Sequence, residues 1–207
     1  MLIVGAKGFA KEVLEILHQK NELENLYFFD DVSENIGQYL HSFPILHSTA
    51  EAKKVFETDA RFTLGVGSPL LRKSLFEKFI SLGGIFTSTI SPKATIGHYG
   101  NHIGKGCNIM SGTVITNDIQ VADGCLINLN CTVGHDSNIG MFTELSPGVS
   151  ISGNCTIGSY CNLGTNATVL PKVKLGNNVI VGAGAVVTKD VADGLTVVGI
   201  PAKPISK

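Results

Sequence analysis

Every sixth residue from Ile103 to Val187 is Ile, Leu or Val. The series is Ile103, Ile109, Ile115, Val121, Ile127, Val133, Ile139, Leu145, Ile151, Ile157, Leu163, Val169, Leu175, Val181 and Val187. Neither a helix period of about 3.6 residues nor plain alternation keeps such a register. A strict short period is the mark of a solenoid: six residues form a short strand and a turn, and about three sixes close one triangular coil. Residues about 18 apart then stack at roughly the 4.8 Å spacing of paired strands. Ile90 and Ile96 carry the period upstream, and one extra residue before Ile103 predicts a looser turn over 98–102.

The slots around the series agree. The next residue is mostly small, as at Gly104, Gly134, Gly140, Ser152, Gly158, Gly164 and Gly182. The fourth residue on is also small, and Cys107, Cys125, Cys131, Cys155 and Cys161 all fall there, alongside Thr113, Ser137, Thr143 and Ala167. Cysteine in that slot acts as a small hydrophobe. No pair has C-x-x-C spacing, so five free thiols in a reducing compartment are expected.

Residues 1–86 lack the period and form a separate domain, leaving 87–207 for the coils. LIVG reads as a buried strand, and residues 9–19 as a helix burying Val13, Ile16 and Leu17. LYFFDD is a second strand, and 49–56 a helix capped by Ser48 or Thr49. RFTLGVG is a third strand, followed by a helix over 70–82. That alternation predicts a small Rossmann-like α/β domain on a parallel sheet. Ligands of such sheets bind at the carboxyl ends of the strands. Those ends carry the glycine turn around Gly8, then Asp30 and Asp31, then Gly65-Val66-Gly67-Ser68.

A net charge of −1 argues against partners held by a basic field, whether nucleic acid or a membrane surface. The apolar start is too short for a signal-peptide core, and no run approaches the roughly 18 residues of a membrane span. A cytoplasmic protein is expected.

Of six histidines, only His135 lies inside the regular series, two residues after Val133 and next to Asp136. The runs NLNCTVGHDSNIG, SPGVSISGNCTIG, VIVGAGAVVTKDV and VVGIPAK resemble the bacterial hexapeptide-repeat acyltransferases. With an α/β domain in front, the whole chain resembles the sugar acetyltransferases of surface-glycan biosynthesis. That group includes sialic acid O-acetyltransferases and N-acetyltransferases of nucleotide-linked 4-amino-6-deoxy sugars. The resemblance implies a left-handed parallel β-helix, acetyl-CoA as co-substrate, no metal, and a homotrimer with active sites between subunits.

Residue by residue, the resemblance makes His135 the general base and Asp136 the acid that strengthens it. Gly153 turns its N–H toward the thioester carbonyl, while Thr165, Gly182 and Ala183 line the acetyl-CoA groove. Lys203, in Pro201-Ala202-Lys203, lies near the nucleotide end of CoA. Gly8, Phe9, Asp30, Asp31 and Gly67 match the substrate-nucleotide pocket. Two positions depart from the family: Phe9 and Glu144 stand where many relatives carry His. Glu144 is placed with the cofactor residues, or as an orienter of the acceptor.

The implied chemistry is direct acyl transfer in a ternary complex. An amine or hydroxyl must lose a proton as it attacks, and imidazole titrates in the right range to take it. A glycine N–H can meet the developing oxyanion. No cysteine lies outside the packing slot, so no protein nucleophile is called for. The expected function is acetylation of the amino group of a nucleotide-linked 4-amino-6-deoxy sugar, with sialic acid O-acetylation as the alternative. Two other classes stay open at this point. A zinc hydratase of carbonic-anhydrase type needs three histidine ligands, but His135 lies 37 residues beyond His98, about two coils away. A ligand from a neighbouring subunit would be required. A non-enzymatic sugar-nucleotide-binding protein would leave the His135–Asp136 pair without a use.

Overall fold

The computed structural model describes residues 1–205. Its N-terminal part contains β1 (Leu2–Val4), α1 (Gly8–Gln19), β2 (Tyr27–Phe29), β3 (Tyr39–Leu40), β4 (Phe43–Leu46), α2 (Thr49–Phe56), β5 (Arg61–Leu64), α3 (Pro69–Ser81) and β6 (Ile85–Phe86). The sheet order is β3-β4-β2-β1-β5-β6, parallel except where β3 meets β4. Helix α1 turns Ala10, Val13, Ile16 and Leu17 inward. Ser48 caps α2 by accepting the Glu51 N–H at 3.3 Å. The β3–β4 hairpin and β6 were not anticipated. They are two to four residues long, and β4 contains Pro44, so no pattern of period two can build up.

From Thr89 onward the chain winds through short parallel strands stacked in three faces. The first face runs from Thr89–Ile90 through Asn108–Ile109, Leu126–Ile127, Glu144–Leu145, Asn162–Leu163 and Ile180–Val181 to Thr196–Val198, with Lys203–Pro204 antiparallel at its end. The second runs from Thr95–Ile96 to Val186–Val187, and the third from His102–Ile103 to Lys174–Leu175. Register steps by 18 from coil to coil, as in Thr132↔Ser150 and Val133↔Ile151, except for steps of 19 at Thr89↔Asn108 and Thr95↔Val114, which span the extra residue before Ile103, and of 16 at Ile180↔Thr196. The periodic aliphatics and all five cysteines fill the axial core.

The structure also reveals a corner slot, three residues after each series aliphatic from Ile103 to Val181, held in the left-handed backbone region. Asp118, Asp136, Asn154 and Lys172 form one column, at φ of 58° to 68°. Gly, Asn and Asp adopt that region most readily. A second column contains Gly106, Gly124, Phe142 and Tyr160. Here the glycines make room: a Cβ on Gly106 or Gly124 would collide with the ring of Phe86 or Phe142.

Those rings weld the two parts together. Phe142 stacks on Tyr160 with centroids 6.0 Å apart, and Phe76 packs on both Phe86 and Phe142. Beside them Arg72 is fully buried. It donates to Gly124 O at 3.1 Å, Val66 O at 2.9 Å and Asn108 Oδ1 at 2.7 Å. The α/β domain therefore rests on the first face and on the corner joining it to the third. Among the described residues, no helix is long and apolar enough to cross a membrane.

Candidate active site

His135 projects from the corner between the second and third faces. The left-handed backbone of Asp136, φ 59°, folds its carboxylate back so that Oδ2 lies 2.7 Å from His135 Nδ1. An ionised carboxylate can only accept, so Nδ1 carries the hydrogen and Nε2 keeps its lone pair. One coil further along, Gly153 lies beneath the ring. A Cβ there would stand 2.7 Å from Nε2 and 2.8 Å from Cε1. Asn154 N–H donates to His135 O at 2.8 Å and fixes the two coils in register. Both side chains of the pair are open to the surface, His135 at 64% and Asp136 at 55%. Their own chain forms no enclosure around them.

Thr165, Gly182 and Ala183 lie on a different corner, between the first and second faces. That corner is kept low by its glycines. A Cβ on Gly164 would come 2.6 Å from Ala183 N, and one on Gly182 would come 2.8 Å from Val198 Cγ1. Lys203 lines a cavity of about 450 Å³ with Thr188, Asp190, Val197 and Pro201. The whole second face separates these residues from His135 in one chain.

The N-terminal residues converge better. Gly8, Phe9, Asp30 and Gly67 line one cavity of about 330 Å³. Asp31 lines an adjoining apolar one with Phe29, Val32, Val66 and Leu71. Asp30 uses its carboxylate on its own loop, accepting Ser33 N–H and Ser33 Oγ–H at 2.8 Å and Val32 N–H at 3.2 Å. Burial would raise its pKa, but these hydrogen bonds prevail and hold it below the usual carboxylate range. Asp31 pairs with Lys78 at 2.6 Å. Phe9 packs between Ile16, Met110 and Leu126, where α1 meets the first face.

Glu144 lies apart from both His135 and the Thr165–Ala183 corner. It stands on the first face, where Oε2 accepts the Ser68 N–H at 2.8 Å. Sequence reading missed Arg72, and it placed Ser68 at the ligand end of its strand without foreseeing its backbone. Arg72 gave no signal, since one arginine in an amphipathic helix reads as solvent-facing. Ser68 precedes a proline at a helix start, which hides its backbone at φ 65°, ψ 111°. Among the described residues, no three His, Cys, Asp or Glu side chains come together to hold a metal, and His98, His102 and His135 form no such group.

Two family models match the chain: the PglD N-terminal domain over residues 1–79, and the bacterial transferase hexapeptide (six repeats) over residues 154–189. A variant of perosamine N-acetyltransferase from Caulobacter crescentus, in complex with CoA and GDP-perosamine, superposes with a TM-score of 0.92. It is 28% identical, over 100% of this chain and 96% of that one. The acetyltransferase domain of PglB from Neisseria gonorrhoeae FA1090, in complex with acetyl coenzyme A, gives 0.91 at 31% identity, over 99% and 98%. WeeI from Acinetobacter baumannii AYE gives 0.91 at 29% identity, over 99% and 98%. No match was found among curated proteins.

Proposed function

The chain belongs to the hexapeptide-repeat sugar acetyltransferases that carry a PglD-type N-terminal domain, and from that membership we propose that it acetylates the amino group of a nucleotide-linked 4-amino-6-deoxy sugar, with acetyl-CoA as donor. The observation that carries the mechanism is the 2.7 Å contact from His135 Nδ1 to Asp136 Oδ2. It leaves Nε2 as the proton acceptor.

The amine lone pair attacks the thioester carbonyl carbon, and an N–C bond forms. Nε2 of His135 takes the proton that the nitrogen must lose, and Asp136 stabilises the imidazolium. The carbonyl oxygen gains charge and is met by the Gly153 N–H, which a side chain would otherwise crowd. The C–S bond then breaks, and the thiolate of CoA takes the proton from the imidazolium.

This reading requires more than one chain. The base is on the corner between the second and third faces, whereas the pocket of Gly8, Phe9, Asp30 and Gly67 lies against the first face. The outward residues of the second face, Thr95, Val114, Thr132, Ser150, Thr168 and Val186, carry no charge. Such a face suits packing against a copy of itself. A homotrimer closed on that face brings His135 of one subunit to the Thr165, Gly182 and Ala183 corner of the next. Lys203 then serves the nucleotide end of CoA.

The test is thiol release from acetyl-CoA with UDP-, GDP- and dTDP-linked 4-amino-6-deoxy sugars. His135→Ala is expected to cut turnover about a hundredfold or more. Turnover near that of the unmodified chain would refute the role of His135. A monomer by light scattering at micromolar concentration would refute the shared site.

A further inference from the structure

We propose that Glu144 is a positioning residue for the sugar-nucleotide pocket, acting from the coil through the backbone of Ser68. The inference rests on the reading above that the pocket of Gly8, Phe9 and Gly67 takes the nucleotide.

Four observations meet at one turn. Ser68 is a non-glycine residue at φ 65°, ψ 111°, a strained conformation that persists only where its surroundings impose it. Its N–H donates to Glu144 Oε2 at 2.8 Å, across 76 residues of sequence. The preceding Val66 O accepts from the buried Arg72 guanidinium at 2.9 Å, and Arg72 in turn holds Gly124 O of the coil. Between the two clamps, Gly67 faces the Glu144 carboxylate so closely that a Cβ would lie 3.4 Å from both oxygens.

The two peptide groups flanking Gly67 are thus pinned, one through its carbonyl and one through its N–H. Both clamps are anchored on the coil. Gly67 and Val66 form one wall of the pocket, so the coil determines where that wall stands. A carboxylate suits the task, because it accepts a charge-assisted bond from a backbone N–H.

The test uses the full chain and three probes, UDP, GDP and dTDP, by calorimetry, together with kinetics in which each substrate is varied in turn. Glu144→Ala is expected to weaken binding of whichever diphosphate the unmodified chain binds by about tenfold or more. KM for the sugar nucleotide should rise likewise, while KM for acetyl-CoA stays put. Glu144→Gln keeps an accepting oxygen and should recover most of the affinity. Ser68→Gly removes the strain, so the double variant Glu144→Ala/Ser68→Gly should bind better than Glu144→Ala alone. Unmodified chain that binds a diphosphate, with Glu144→Ala binding equally well, overturns this inference only. Unmodified chain that binds none of the three diphosphates overturns the pocket reading and this inference together. A Glu144→Ala variant in which KM for acetyl-CoA rises as much as that for the sugar nucleotide also overturns it, since a general loss of structure would explain both.

Discussion

The imidazole of His135 rests on Gly153, one coil further along, with no space for a side chain between them: a Cβ on residue 153 would stand 2.7 Å from Nε2. Three ring atoms lie within 3.2 Å of that position. The glycine therefore sets where the imidazole sits and, on the proposed mechanism, how the base is aimed.

Gly153→Ala isolates this relationship. Residue 153 is outside the left-handed region, so its backbone accepts alanine. The methyl group must push the ring off its seat. A displacement of about 1 Å at a reacting group costs on the order of a hundredfold in rate. The expected result is a kcat/KM loss of about that size with the urea midpoint little changed. A midpoint that falls in step with activity would show damage to the coil instead.

Asp136→Asn tests the charge without disturbing the corner. Asparagine tolerates the left-handed conformation that residue 136 adopts at φ 59°. The amide, however, can donate to Nδ1 and so favour the tautomer with its hydrogen on Nε2. We expect kcat to fall about tenfold or more, with little change in the KM for acetyl-CoA. Asp136→Ala should add a loss of stability, because alanine is strained there.

The buried cysteines predict a clean chemical result. All five are inside the coil. Burial pushes the Cys131 thiol up to about 11 and the Cys125 thiol well above its ordinary value. Native protein at pH 8 should leave all five unreactive toward a chromogenic disulfide reagent, and unfolded protein should titrate all five. Cys131→Ser should be mild, since Ser137 occupies the same slot one corner later. Cys131→Leu overpacks the axis and should cost about 1–3 kcal/mol by urea unfolding.

Arg72 holds the junction between the two parts. Burial pushes its guanidinium down to about 10, which still leaves it charged at neutral pH. Arg72→Ala strands Gly124 O, Val66 O and Asn108 Oδ1 without that donor at a largely buried junction. A loss of about 3 kcal/mol or more is expected. Lysine should restore little, because a point charge cannot reach three acceptors in the plane of a guanidinium. Urea unfolding followed by fluorescence and by far-UV circular dichroism would measure both.

Particular residues show what could be read in advance. Val133, Cys131 and Gly134 declare their places in the coil through spacing alone. The corner residues were half-legible: Asp118, Asp136 and Asn154 have side chains suited to a left-handed backbone, but Phe142 and Tyr160 at equivalent corners do not. Those two belong to the junction, and their purpose appears only when Phe76 and Phe86 pack on Phe142, which in turn stacks on Tyr160. Asp30 reads as a free acceptor beside the glycine turn. In the fold it is spent on the Val32 and Ser33 groups of its own loop.

The sequence by itself determined the solenoid, its core and the corner on which His135 and Asp136 stand. Depth within such a coil depends on a residue's position modulo six, which is a local property. The tertiary structure alone decided that His135 and the Gly67 pocket lie on different edges of one chain, and that Glu144 answers to Ser68. These relationships depend on which face the α/β domain covers. That choice is made by rings and a guanidinium meeting partners as many as 66 residues away in Phe76–Phe142 and 52 in Arg72–Gly124, over distances at which no sequence period carries information.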